Sequence, residues 1–206
     1  VNRLKKLLRA SDVAIVQQGL ELLEALATPA IYDALLEGFD STRIDCTEPK
    51  QAHQLGKVFG RPKVEELMRY KWVVINLLAR APAGSDAARK RAAVTHISFI
   101  SRHYRASFTP PSMPPMEGFT QLSRLDLMLP PATDLSFLSG VTTLSAVYLK
   151  GADAADTLCR LDGLQDSAES LQVLILQGTP ELVSLDGMGS PPDLRVLKVG
   201  NCRKLT

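Results

Sequence analysis

The chain has few cysteines and few aromatic residues. Its three cysteines are Cys46, Cys159 and Cys202, an odd number without a CxxC pair, so neither a disulfide framework nor a zinc site is expected. Aromatic residues make up only 5% of the chain, and Leu and Ala supply the apolar content instead. This balance favours helices and stacked repeats over a β-sandwich, and the cysteine usage favours a reducing, cytoplasmic compartment.

Long apolar segments and targeting signals are also missing from the sequence. No apolar run approaches the ~18 residues that span a bilayer, and no secretory signal opens the chain. We therefore predict no membrane association. Because the chain begins at Val1 and not at Met, we expect it to be part of a longer protein.

Catalytic and metal-binding motifs are absent as well. The sequence contains no GxSxG, GxGxxG, HExxH or phosphate-binding GxxxxGK[ST] motif. Cys46 follows Asp45, whose charge disfavours a thiolate. His96 and His103 stand seven apart on a predicted helix without an accompanying carboxylate or cysteine, and His53 stands alone. We predict no catalytic residue, no metal site and no cofactor, and therefore no enzyme.

Helical spacing of apolar residues dominates the first hundred residues. Cap residues and prolines mark the helix starts, and glycines mark several of the ends. The predicted helices are an opening one with Leu4 and Leu8, then 13–27, 29–38, 49–60, 62–83 and 86 to about 104. Four prolines in 106–118 exclude a helix there and indicate a linker. We therefore predict a helical domain at 1–105.

Positive charge is concentrated in the middle of the chain. Residues 41–118 hold 13 Lys or Arg against 6 Asp or Glu, a net charge of +7, whereas the whole chain carries +2. A solvated helix face, an acidic partner or a nucleic acid would each explain this excess. The basic residues of predicted helices are Lys57, Arg61, Lys63, Arg69, Lys71, Arg80, Arg89, Lys90, Arg91, Arg102 and Arg105.

Leucines recur with a fixed pattern after the linker. Four segments fit LxxLxL, and their starts are 22, 27 and 23 residues apart. A second Leu-rich pattern follows each of the first three in phase. The LxxLxL segments are 122–127, 144–149, 171–176 and 194–199, and the second pattern occupies 135–141, 158–164 and 182–188.

These paired patterns resemble the leucine-rich repeat family, whose period is roughly 20–29 residues. The resemblance covers 119–206 and implies about four coils, each burying its leucines against its neighbours, with a parallel β-sheet on the concave side. The expected fold is thus a helical domain followed by an α/β solenoid. An Ala-, Leu-, Arg- and Pro-rich composition suits a bacterial source.

The sequence departs from the family where an Asn normally closes each strand. Pro130, Ala152, Thr179 and Cys202 occupy this place. Thr and Cys can fill the role in part, so we expect the third and fourth coils to be regular and the first two irregular. The fourth resembles the Cys-type repeats of immune-receptor and bacterial proteins. Because no polar cap follows it, we expect further repeats beyond Thr206.

The strand phase identifies the side chains that point away from the leucine core. Several of these are apolar, which is unusual on a solvated sheet unless something covers them. A neighbouring loop or the helical domain could be that cover, and a partner is the alternative. The predicted partner-binding residues are Arg124, Asp126, Tyr148, Lys150, Val173, Ile175, Gln177 and Lys198.

Three functional interpretations follow from the sequence. The first is a protein-binding module that uses the concave face of the repeats. The second is the sensor or targeting region of a larger effector or signalling enzyme. The third is a nucleic-acid binder that uses the basic helices at 57–105.

Overall fold

The structure is a computed structural model with six α-helices in its first half and six parallel strands among its described residues, the first of which lies between the third and fourth helices. It describes residues 1–26, 28–40, 42–45, 49–60, 66–99, 108, 110–128, 132–151 and 157–206, without the side chains of 49–52. The helices are α1 (Asn2–Leu8), α2 (Val13–Leu26), α3 (Pro29–Leu35), α4 (Pro49–Phe59), α5 (Leu67–Ala79) and α6 (Asp86–Ala93). The strands are β1 (Arg43–Ile44), β2 (His96–Ser98), β3 (Arg124–Met128), β4 (Ala146–Lys150), β5 (Val173–Gln177) and β6 (Val196–Gly200).

All six strands form one parallel sheet in chain order, β1 to β6. Strands β3 to β6 pair in full register, so that equivalent positions of successive coils stand side by side. Leu125, Val147 and Leu174 form one row of inward side chains, each no more than 1% exposed. The chain therefore stacks as a solenoid of about four turns, with the strand phase that the LxxLxL pattern predicts.

A repeated hydrogen bond joins the start of each strand to the previous coil. The carbonyl of Ser123 accepts the amides of Ser145 and Ala146, at 2.9 and 3.1 Å. The hydroxyl of Ser145 also donates to this carbonyl at 3.0 Å. Ser123 makes the same hydroxyl bond to the Thr95 carbonyl, and Thr95 makes it to Thr42. The ladder therefore runs through β1 and β2 before the leucine-rich segments begin.

The sequence prediction of a helix from Asp86 to about Tyr104 is wrong beyond Ala93. Helix α6 ends there, and His96–Ser98 form β2, which pairs with β3. The reason is that polar and apolar residues alternate around Ile97. The Ile97 side chain is fully buried in the leucine core beside Leu125. Residues 100–104 lie outside the described residues. The first hundred residues thus contribute strands as well as helices.

Helix α5 lies at the centre of the N-terminal half. Every residue from Leu67 to Leu78 is buried, including the charged Lys71 and Arg69. Lys71 Nζ donates to the Ser98 carbonyl at the end of β2, at 2.5 Å. Arg91 donates to three carbonyls at the C-terminal end of α5, with its shortest bond of 2.8 Å to Ala79. The Lys71 bond therefore connects α5 to the sheet, and the Arg91 bonds connect α6 to the end of α5.

Helices α3 and α6 start where the sequence predicts. Pro29 is in the first turn of α3 after an extended Thr28, as predicted. The Ser85 hydroxyl accepts the Ala88 amide at 2.9 Å and caps α6. Local chemistry therefore suffices to place these starts, whereas the end of α6 depends on the sheet.

The proline-rich segment packs against both halves of the molecule. Trp72 Nε1 donates to the Ser112 carbonyl at 2.7 Å. Met116 and Phe119 are fully buried, and the Met116 amide donates to Phe137 in the first coil. A continuous apolar core runs from the helices through this segment into the coils.

The second leucine-rich pattern forms the return side of the coils. Short 3-10 turns lie at Ser136–Leu138, Gln165–Ser167 and Asp186–Met188. Gly163 has φ +105°, and a Cβ atom there would lie 2.1 Å from the Leu135 carbonyl oxygen of the previous coil. Gly187, at the matching place one coil later, would bring a Cβ within 2.5 Å of the Asp162 amide nitrogen. The Asp-Gly turns are thus required by the close approach of successive coils.

We expect Gly163→Ala to destabilise the protein by at least about 2 kcal/mol, because it adds strain at positive φ and a backbone clash. Urea unfolding followed by circular dichroism measures the loss. The control is Gly200→Ala, since Gly200 has no heavy atom within 4 Å of its Cβ position. Equal stability of the two variants would show that the coils do not approach each other closely at Gly163.

Leu174 and Leu197 provide a matched test of the stacking, since they are register partners on β5 and β6. Leu174 is fully buried, whereas Leu197 is 44% exposed at the last strand. We expect Leu174→Ala to cost ~2–5 kcal/mol and Leu197→Ala about 1 kcal/mol. Thermal and urea unfolding give both values. A similar loss in the two variants would contradict the coil order.

Candidate partner-binding surface

The outer face of the sheet is defined by the strand residues that alternate with the buried rows. It has three rows of side chains in register across the strands. The first row is Arg43, His96, Arg124, Ala146, Val173 and Val196. The second is Ser98, Asp126, Tyr148, Ile175 and Lys198, and the third, one pleat later, is Met128, Lys150 and Gln177.

The half of the outer face on β4 to β6 is apolar. Tyr148 and Ile175 are register partners, and Val173 pairs with Val196 in the first row. All four side chains are only partly buried. Tyr148 Oη donates to Gln177 Oε1 at 2.7 Å, which holds the ring across the neighbouring strand. The structure thus brings three aliphatic side chains and a fixed tyrosine ring together on a regular sheet.

The half of the outer face on β2 and β3 is charged. His96 Nε2 lies 3.2 Å from Asp126 Oδ2, and Arg124 Nε lies 3.1 Å from both carboxylate oxygens of Asp126. The side chains of His96 and Asp126 are only 11% and 12% exposed, whereas that of Arg124 is 57% exposed. Asp126, a predicted partner-binding residue, therefore serves mainly to hold its two neighbours.

Ionic contacts control the protonation of Asp126. Burial raises the pKa of the carboxyl, but hydrogen bonds and positive charge from His96 and Arg124 outweigh this and hold the pKa below its ordinary value. The carboxylate therefore stays ionised at neutral pH and keeps Arg124 oriented.

Sequence reasoning missed the outer-face residues of β1 and β2. Arg43 lies 3.7 Å from Asp45, which repeats the Arg124–Asp126 arrangement two strands away. His96 stands between the two arginines in the first row. Strands β1, β2 and β3 share a short sequence pattern, in which a hydroxyl residue is followed by a polar residue and a buried Ile or Leu. The three segments are Thr42-Arg43-Ile44-Asp45, Thr95-His96-Ile97-Ser98 and Ser123-Arg124-Leu125-Asp126.

Other predicted outer-face residues are exposed and polar. Lys150 and Lys198 are exposed, and so is Gln177. Lys198 stands beside Ile175 in register, and Lys150 stands beside Gln177. The apolar half is therefore bordered by positive charge.

The basic residues at 57–105 do not form a single open surface in the part of the chain that the structure describes. Arg69 and Lys71 are buried, and Arg91 bonds to the end of α5. Lys90 contacts Asp86 at 3.0 Å, and Arg89 contacts the same carboxylate at 3.0 Å. Arg61, Lys63, Arg102 and Arg105 lie outside the described residues. Most of the described cations therefore serve structural contacts.

The strand-closing residues that the structure describes, Thr179 and Cys202, fill the role that the sequence predicts. Thr179 is fully buried, and its Oγ1 lies 2.9 Å from Cys202 Sγ of the next coil. Thr and Cys thus bridge the third and fourth coils. Pro130 and Ala152, the residues at this place in the first two coils, lie outside the described residues.

The described residues contain neither a candidate metal site nor a candidate membrane-spanning helix. The described residues hold no group of three or more His, Cys, Asp or Glu that could hold a metal ion. No helix in the described ranges is long and apolar enough to cross a membrane. Cys46 and His103 lie outside those ranges.

Comparison with family models, with curated proteins and with solved structures finds no match for this chain. The geometry of the outer face is therefore the main basis for assigning a function.

Asp126→Asn tests the charged half of the outer face. Because the pKa of Asp126 is lowered in the folded state, its ionised form stabilises the protein above about pH 4, and this contribution is lost as the pH falls through the folded-state pKa. We expect the variant to be less stable than the wild type at pH 7 and the difference to shrink at pH 3. Urea unfolding at both values measures it.

Asp193→Asn is the matched control, since Asp193 is exposed on the loop before β6. It should leave the stability at pH 7 unchanged. A constant difference between Asp126→Asn and the wild type from pH 7 to pH 3 would contradict the ionic role of Asp126.

Proposed function

We propose that this chain is a leucine-rich repeat module that binds a protein partner through the outer face of its sheet, and that it acts by recognition and not by catalysis. The observation that carries the proposal is the apolar group of Tyr148, Ile175, Val173 and Val196, which is only partly buried on a regular parallel sheet. A solvated sheet face normally carries polar side chains. An apolar group at its centre favours a partner that covers it.

The composition of this group also suits a binding site. A tyrosine supplies a large apolar contact at a low entropic cost and is enriched among residues that dominate binding energy. The bond from Tyr148 to Gln177 already orders the ring in the free protein. A rigid sheet with an ordered aromatic loses little conformational freedom on binding, which favours affinity.

The positions of the basic residues weaken the nucleic-acid alternative. Binding to a nucleic acid needs accessible cations clustered on one surface. Among the described basic residues at 57–105, Arg69 and Lys71 are buried and Arg91 bonds to backbone carbonyls. The targeting region of a larger enzyme would use the same outer face, so this second interpretation is a special case of the proposal.

A displayed library of random linear peptides, selected on the immobilised chain, supplies the ligand for a test. Tyr148→Ala should weaken the selected peptide by about 30-fold, or ~2 kcal/mol, because it removes the central apolar contact. Tyr148→Phe keeps the ring and loses only the bond to Gln177, so it should weaken binding by a few-fold. Fluorescence anisotropy gives the dissociation constants.

Glu169→Ala is the control, since Glu169 is exposed on the return side of a coil. It should leave binding unchanged, and all three variants should melt within a few degrees of the wild type. Selection of peptides whose binding is insensitive to Tyr148→Ala would overturn the proposal, and so would a selection without any enriched peptide. Unfolding by Tyr148→Ala would show that the ring is a core residue.

A further inference from the structure

The exposed charge of the outer face has one sign. The side chains of Arg43 and Arg124 are 47% and 57% exposed, whereas those of Asp45 and Asp126, which neutralise them, are 8% and 12% exposed. A ligand approaching from solvent therefore meets guanidinium groups before carboxylates. The two arginines and the two aspartates carry equal numbers of opposite charges. The surface is nevertheless positive, because the arginines are exposed and the aspartates are not.

Positive charge also borders the apolar group on two further sides. Lys198 is the exposed register partner of Ile175, and Lys150 is exposed at the end of β4. On the strands β1 to β6, each exposed side chain with a formal charge is a Lys or an Arg. The apolar group formed by Tyr148, Ile175, Val173 and Val196 therefore has exposed cations on three sides, which are Arg124, Lys150 and Lys198.

Arg124 is held in place for an anion. Its Nε is engaged by Asp126, which fixes the plane of the guanidinium, and its two terminal nitrogens make no hydrogen bond with the described residues. A guanidinium that is fixed on one side and open on the other is suited to a carboxylate. Arg124 therefore loses little conformational freedom when a ligand binds.

We propose that the ligand of this face is an acidic peptide segment of a protein partner, in which an Asp or Glu carboxylate bonds to Arg124 and a nearby apolar side chain packs on Tyr148 and Ile175. The inference rests on the proposed function and specifies its partner. Arg124 and Tyr148 are diagonal neighbours on adjacent strands, about 7–8 Å apart. Because an extended chain rises about 3.3 Å per residue, the acidic and apolar residues of the peptide lie two or three positions apart.

A peptide fits this face better than a nucleic acid does. Single-stranded nucleic acids are held by several aromatic rings that stack on successive bases. Tyr148 is the single aromatic side chain among the described outer-face residues, and its neighbours Ile175 and Val173 are aliphatic. Aliphatic side chains beside one fixed ring pack well against Leu, Val or Phe of a peptide.

The experiment is a charge exchange on the peptide selected from the random library. We expect the enriched peptides to share an Asp or Glu two or three positions from an apolar residue. Replacing that acid by Gln should weaken binding to the wild type at least about tenfold, since a charge-assisted hydrogen bond is lost. Replacing it by Lys should abolish binding to the wild type and restore it in Arg124→Glu.

Two further variants keep the test decisive. Arg124→Gln removes the charge without adding a like charge next to Asp126, so it should bind the original peptide and its Gln derivative equally. Arg3→Glu, at an exposed residue of α1, makes the same charge change away from the sheet and should not alter the preference. Anisotropy at two salt concentrations completes the set, since the wild-type affinity for the acidic peptide should fall with salt.

The failures of the two proposals are distinguishable. Enriched peptides that depend on Tyr148 but carry no acid, or that bind Arg124→Gln as tightly as the wild type, would overturn the acidic specificity and leave the binding surface in place. Peptides insensitive to Tyr148→Ala would overturn both. Tight binding of a random single-stranded oligonucleotide that is lost in Arg124→Gln would replace the acidic peptide with a nucleic acid.

Discussion

The stacking of one coil on the next is the interaction on which the rest of this structure depends. The carbonyls of Thr95, Ser123, Ser145 and Gln172 each accept two amides from the following coil, so the start of each strand from β3 to β6 is positioned by its predecessor. The same register aligns the buried leucines, which have no other surface to cover them. Since backbone bonds and apolar burial both require the same alignment, a shift of one residue would lose both at once.

This alignment decides what the outer face can display. Register places Asp126, Tyr148, Ile175 and Lys198 in one row, although more than seventy positions of sequence separate the first from the last. The row changes from an ionic network on β2 and β3 to apolar side chains on β4 and β5 and then to a lysine. A ligand lying across the strands therefore meets a charged region and an apolar region at distances set by the strand spacing, about 4.8 Å per coil.

The repeat pattern predicted the coils well because its physics is local. An LxxLxL segment buries alternate residues where a coil lies on each side of it, and the Asp-Gly pairs at Gly163 and Gly187 mark places where only glycine fits between coils. The sequence predicts a helix around His96 because this segment follows the well-capped α6 without a proline or glycine to end it. Its strand is stabilised by pairing with β3, a contact that lies far away in sequence.

The sequence alone determined the number and phase of the leucine-rich coils, the starts of α3 and α6, and the side chains that point away from the core. Each of these depends on neighbouring residues whose spacing is visible in the chain. Only the tertiary structure showed that β1 and β2 extend the sheet and that carboxylates and guanidinium groups of the outer face lie at different depths. The extension of the sheet depends on strand pairing between distant segments, and Asp126 is shielded in part because His96 approaches it from the neighbouring strand, 30 positions away in the chain.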